Sequence, residues 1–323
     1  MASNQDTGPA QEQTAEWQRD LIQKLATSSL AEQRRARRWG IFFKFLTFAY
    51  LVTLVILYTP DINLDSIEHK RHTALVELQG VIAADKEANA DNIVTGLRDA
   101  FKDENTAGVI LRINSPGGSP VQAGYINDEI VRLRAKYPDI PFYVVISDIC
   151  ASGGYYVASA ADKIYADKAS IVGSIGVRMG GFGFVGTMKK LGVERRLITA
   201  GEHKGFLDPF LPAKEADITQ VKKLLADIHS QFINVVRTGR GDRLKEIPEL
   251  FSGYVWTGEQ AIDLGLVDEL GSASYVAREV IGAETIVDYT PQEDLFQRFS
   301  KKFGTALGQG VGKVLMSEGM TLQ

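Results

Sequence analysis

Ser152 is the side chain whose sequence neighbourhood best suits it to chemistry. The β-branched run 144–149 breaks at small residues, presents Ser152 within Cys150-Ala-Ser-Gly-Gly154, and resumes as an alanine-rich helical stretch to Ala161. A strand that ends in this way delivers a nucleophilic hydroxyl. At the start of the helix that hydroxyl sits among unpaired backbone N–H groups, which can hold the negative charge that develops when a carbonyl is attacked. The chemistry indicated is acyl transfer.

A second segment, residues 108–119, has the same layout: an apolar strand, a Pro-Gly-Gly turn and a helical stretch over 121–136. Gly117 and Gly118 can expose their N–H groups where a side chain would obstruct the approach. Serine is a weak nucleophile at neutral pH and needs a base within hydrogen-bonding reach. Of the four histidines, His69 and His72 precede the first predicted strand, His229 falls in a helical pattern beginning near Lys214, and His203 stands beside Lys204 in a loop. Triad members meet in space and not in sequence, so spacing alone leaves a Ser-His-Asp arrangement with His203 open. Cys150, the single cysteine, reads as a small buried hydrophobe at a strand end. No Cys or His pair stands at metal-ligand spacing, so no metal is expected.

Five motifs occur in a fixed order: L-Q-G at 78–80, N-S-P-G-G at 114–118, A-S-G-G-Y-Y at 151–156, G-S-I-G-V at 173–177, and Gly201-Glu-His-Lys-Gly-Phe-Leu-Asp-Pro-Phe210. With them the chain resembles the signal peptide peptidase A family of serine-lysine proteases over roughly 75–286, in its short single-domain form. The resemblance implies the Clp protease/crotonase-like fold, a repeated β-β-α superhelix. It implies Ser152 as nucleophile, Lys204 as general base, Gly118 and Gly153 as the oxyanion N–H donors, and Ser174 as the hydroxyl that orients the lysine amine. It further implies cleaved signal peptides or other hydrophobic peptides as substrates, no cofactor, and a homo-oligomeric ring with the dyad near or across a subunit boundary. A lysine works as a base only when neutral, so its surroundings must disfavour the cation by roughly 4 kcal/mol. Phe206, Leu207, Pro209 and Phe210 are the apolar residues placed to do so.

The elements that must position these residues read as an alternation. Strands are predicted at 74–78, 108–113 and 142–146, helices near 92–102, 122–136 and after Ser152, and later helices at 221–238, 258–264 and 272–281. This order predicts an α/β domain with parallel strands over 74–290. Hydrophobic residues make up 45% of the 323, enough for a large core, and a formal net charge of −4 suggests no nucleic-acid partner.

Ahead of that domain, residues 1–38 read as a polar tail with a short amphipathic helix from Trp17, ending in the basic run Arg34, Arg35, Arg37 and Arg38. Residues 39–58 carry one charge, Lys44, and at about 1.5 Å per residue span about 30 Å, a bilayer's hydrocarbon thickness. We expect an uncleaved transmembrane anchor, with the N-terminus cytoplasmic and the catalytic domain outside the bacterial inner membrane. Residues 59–73 form the linker. In the tail 291–323, Leu295, Phe299, Phe303, Leu307, Val311 and Val314 recur at helical spacing among several glycines. That pattern fits an amphipathic helix on a neighbouring subunit or a membrane surface, and equally an ordinary packed terminal helix.

The function expected is a membrane-anchored serine endopeptidase. Two rivals are a crotonase-like enzyme acting on an acyl thioester at the Gly118 site, and a non-catalytic membrane scaffold.

Overall fold

A computed structural model of the chain describes Trp17, Lys24 and residues 33–54 and 71–291. The chain divides into two units, Met1–His69 and Lys70–Gln323. In the first, residues 33–54 form helix α1, whose apolar side chains are exposed, from Trp39 and Ile41 to Leu51 and Val52. Its threonines bond back onto their own helix, Thr47 to the Phe43 carbonyl at 2.8 Å and Thr53 to the Ala49 carbonyl at 2.9 Å. Among the described residues no helix is long and apolar enough to cross a membrane. The predicted span runs past residue 54, and its end lies outside the described residues, as do His69, the C-terminal tail and most of 1–32.

The second unit is built on a sheet. Strands β1 (His72–Gln79), β2 (Thr106–Ser115) and β3 (Phe142–Ala151) are parallel neighbours, with Val76 opposite Leu111 and Leu111 opposite Val144. Their apolar runs are nearly unbroken because both faces are covered. Ala74, Val76 and Leu78 face the main core with helices α2 (Ala90–Lys102) and α3 (Pro120–Lys136), while Leu75 joins Ile110 and Val145 on the opposite face. That second face is closed by Ala273, Val276 and Ala277 of α8 (Ala273–Tyr275) and its π-helical continuation Val276–Ile281. Asn89 caps α2, and Ser119 with Pro120 at the first turn starts α3.

Beyond β2, strand β3 changes partner along its length. Residues 143–146 pair with β4 (Lys163–Ala166) and residues 149–151 with β5 (Ile171–Gly173). A short antiparallel strand, β6 (Val255–Thr257), follows β5 at that edge; β7 (Glu269–Leu270) pairs with β4, and β8 (Ile286–Asp288) closes the far side on β1. Between the two pairings the Ser147 carbonyl accepts from the Ser170 hydroxyl at 2.6 Å. The sheet therefore forks beneath the end of β3, where Ser152 follows.

Helix α4 (Gly153–Ala158) begins directly after Ser152; α5 (Val185–Leu191), the long α6 (Glu215–Arg240) and α7 (Gly258–Asp263) complete the unit. Arg240, 1% exposed, fixes α6 to the sheet through a bidentate pair with Asp268 at 2.9 Å and a bond to the Gly265 carbonyl. The expected alternation of strands and helices is present, and the strands run longer than predicted. His72 belongs to β1, its ring against Tyr289, whose hydroxyl donates to Asp103. β4 to β8 and α5 went unpredicted, being too short to show a period.

Helices α2 and α3 are joined by Glu129, which takes Arg98 at 2.6 Å and Arg132 at 2.6 Å. The Arg132 and Arg98 guanidiniums hold its carboxyl down at about 2, against an ordinary 4.5. The depressed value means the stabilisation is complete above pH 4.5 and is lost as the pH falls toward 2. Both arginines are half-exposed, so Glu129→Gln is expected to cost only about 1 kcal/mol at neutral pH. In urea titrations the gap between the variants should narrow steadily below pH 4.5.

Candidate active site

Ser152 sits at φ 52° and ψ −124°, a backbone state that costs a non-glycine residue about 1–3 kcal/mol. It is held there from both sides. The Ser152 N–H donates to the Gly173 carbonyl at 2.8 Å, and the Ser152 carbonyl accepts from the Tyr156 N–H at 3.0 Å. Behind it, fully buried Tyr155 donates its hydroxyl to the Leu266 carbonyl at 2.9 Å, and Asn127 donates to the Tyr156 carbonyl. The two tyrosines of the A-S-G-G-Y-Y motif thus anchor the short helix that presents the serine.

The Pro-Gly-Gly turn comes in beside it. Gly117 and Gly118 have φ of 95° and 154°, so the turn requires glycine at both. The turn is bridged to Ile82, whose N–H donates to the Gly117 carbonyl at 2.9 Å and whose carbonyl accepts from the Ser119 N–H at 2.8 Å. A Cβ placed on Gly117 would stand 2.6 Å from the Gly153 nitrogen, and one on Gly153 would stand 3.3 Å from the Gly118 nitrogen. Two backbone amides, Gly118 and Gly153, therefore flank Ser152, and among the described residues neither donates to any acceptor. Such a pair can receive an oxyanion.

Ser174 follows Gly173 out of β5, also at φ 52°, with its N–H bound to the Tyr254 carbonyl at 2.7 Å. The carbonyl that accepts from Ser152 is thus one residue from Ser174, and β6 braces both serines. Sequence reasoning missed Gly173, Tyr254 and Ile82, which act through main-chain atoms that residue types do not reveal.

Lys204 is exposed on an arm, residues 178–213, in which nothing is buried, and no hydrogen bond joins its amine to Ser152 or Ser174. The arm has its own order: Phe184 stacks on Phe210 at 5.4 Å, the Phe184 N–H donates to the Pro209 carbonyl, and Asp208 accepts from Arg195 and the Phe210 N–H. The Phe210 N–H and then Arg195 hold the Asp208 carboxyl below its usual range. A cavity of about 730 Å³ between the arm and the start of α6, lined by Phe182, Leu197, His203, Phe206, Asp217 and Val221, includes neither Ser152 nor Lys204. His203 Nδ1 stands 3.4 Å from Asp217, and His229 contacts the Ile175 carbonyl at 3.2 Å. Cys150 is wholly buried and burial pushes its thiol up, which suits a packing role.

Residues 134–284 match the model of peptidase family S49. The chain is 47% identical over 186 residues to a Brucella melitensis protein named Na(+)/H(+) antiporter NhaA, covering 58% of this chain and 25% of that one. It is 33% identical over 204 residues to a putative signal peptide peptidase SppA of Enterococcus faecium, 61% of this chain and 59% of the other. A putative protease of Methanocaldococcus jannaschii is 33% identical over 226 residues, 68% of this chain and 71% of its own length. The chain thus spans about a quarter of the Brucella relative and under two thirds of the Enterococcus one.

The amide pair makes a prediction of its own. A Cβ on Gly118 would come 2.1 Å from the Ile82 carbonyl oxygen, so Gly118→Ala must open the bridge to Ile82. It is expected to lower the unfolding free energy by about 2–4 kcal/mol, read from urea denaturation.

Proposed function

Because the chain belongs to peptidase family S49, we propose that it is a membrane-anchored serine endopeptidase that degrades signal peptides or other hydrophobic peptides left at the membrane after export. The observation that carries this reading is Ser152 in its strained turn between two backbone amides that donate to no acceptor among the described residues. Ser152 Oγ attacks the peptide carbonyl, and the oxygen takes its charge between the Gly118 and Gly153 N–H groups. Lys204 accepts the serine proton and returns it to the leaving amine, with Ser174 orienting the lysine. Water activated by the same amine then releases the acyl group. No cofactor takes part. Ion antiport is outside this reading, since the match to the Brucella protein takes in only a quarter of that chain.

The dyad is completed between subunits of a homo-oligomeric ring. Supporting this, the arm that bears Lys204 exposes Phe182 at 83%, Ile198 at 97%, and Leu191 and Val193. A neighbouring subunit covering those residues would supply the desolvation that a lysine base requires. The forked sheet is read as the Clp protease/crotonase-like superhelix. The apolar side chains exposed around α1, and its threonine hydroxyls bonded to their own backbone, suit a lipid environment. With Arg34, Arg35, Arg37 and Arg38 on the cytoplasmic side, the catalytic domain lies outside the bacterial inner membrane. A second reading, in which His203 is the base, has the Asp217 contact in its favour.

Cleavage of a synthetic signal peptide by the full chain tests both. Ser152→Ala and Lys204→Ala should each lose at least about 10³-fold in kcat while remaining folded. His203→Ala should retain activity. An active Lys204→Ala beside an inactive His203→Ala would transfer the base to histidine. Mixing the two inactive variants, Ser152→Ala and Lys204→Ala, should restore part of the activity if subunits share the dyad.

A further inference from the structure

Ser115 belongs to the N-S-P-G-G motif, yet the mechanism assigns it no part. Its residue is 0% exposed. The hydroxyl donates to the Gly80 carbonyl at 2.6 Å and accepts from the Gly117 N–H at 3.1 Å. It thereby ties the end of the L-Q-G motif, where β1 stops, to the turn that carries Gly118. Among the described residues, no other residue of those motifs in β1 or β2 makes a side-chain bond to that turn; Asn114 donates to Asp148 and accepts from the Ile149 N–H instead.

The geometry has a specific result for the oxyanion donor. Because a peptide unit is planar, the Gly117 carbonyl and the Gly118 N–H move as one body and point in opposite directions. The Ile82 N–H holds the carbonyl end of that unit at 2.9 Å. The preceding unit, which ends in the Gly117 N–H, is held by the Ser115 hydroxyl. Gly117 is thus fixed at both of its backbone polar groups, and the Gly118 N–H is left directed at the site. Two consecutive glycines otherwise rotate at little cost, and a rotated unit would turn a carbonyl oxygen toward the developing oxyanion.

We propose that Ser115 is a positioning residue for the oxyanion hole: its buried hydroxyl fixes the Gly117 backbone so that the Gly118 N–H faces the reacting carbonyl. This rests on the reading of Gly118 and Gly153 as oxyanion donors. A serine that only filled its space in the core would affect ground-state and transition-state binding alike. One that aims the donor acts where charge develops, and so separates kcat from KM.

The test uses the full chain with a synthetic signal peptide, a peptide aldehyde whose adduct with Ser152 carries the oxyanion, and a cleaved product peptide that forms no adduct. Ser115→Ala is expected to lower kcat by about 10- to 100-fold and to weaken the aldehyde by a similar factor, with KM and product affinity within about twofold. Ser115→Cys, close in size but a poor donor, should fall the same way and serves if the alanine variant does not fold. Equal losses for aldehyde and product, unchanged kcat, or failure of both variants to fold would overturn the proposal. Ser152→Ala separates the two readings. If it stays active, the oxyanion assignment and this proposal fall together. If it is inactive while Ser115→Ala matches the wild type, only the role of Ser115 falls.

Discussion

The bond from the Ser152 N–H to the Gly173 carbonyl is the constraint on which the rest of the candidate site depends. It joins the end of β3 to the end of β5 and keeps Ser152 in a backbone state that a free chain would leave. Everything around it keeps that bond in place. Antiparallel β6 pairs with Gly173, the Tyr254 carbonyl just before that strand accepts from the next residue, Ser174, and α4 is anchored by the buried Tyr155. Strain of this kind persists only where the surroundings over-determine it.

That constraint divides the second unit into a rigid half and an open half. The serine and both amides rest on a sheet whose central strands are buried on two faces. The Lys204 arm has contacts of its own among Phe184, Phe210 and Asp208, meets α6 at Asp217, and leaves large apolar side chains in water. A serine and two adjacent backbone amides are held in place within one chain, whereas Lys204 stands on the exposed arm.

How much of this was legible in the sequence follows from the range of each interaction. The strands β1 to β3 announce themselves by long apolar runs, and the turns at Gly117 and Ser152 by residues that only tight geometry demands. Their convergence was expected from motif resemblance, since 108–119 and 142–161 carry no statement of which glycine meets which serine. β4 to β8 hold two to four residues each and take their shape from pairing partners. Ser174 reads as a turn residue in sequence; that its φ is positive and its N–H is bound to Tyr254 depends on a strand some eighty positions on. The exposure of Phe182 and Ile198 on the arm was not legible, because exposed Phe and Ile are as ordinary in a sequence as buried ones.

Both candidate oxyanion donors are main-chain groups on glycine. No side-chain replacement removes a peptide N–H other than proline, so this part of the site is encoded by what its residues lack. Inactivating changes there come from adding a single methyl group against Ile82 or Gly153. Genetic variation would then strike this centre unevenly: the turn glycines tolerate almost nothing, whereas a Cβ added at Gly180, Gly181, Gly183 or Gly186 of the exposed arm meets open space.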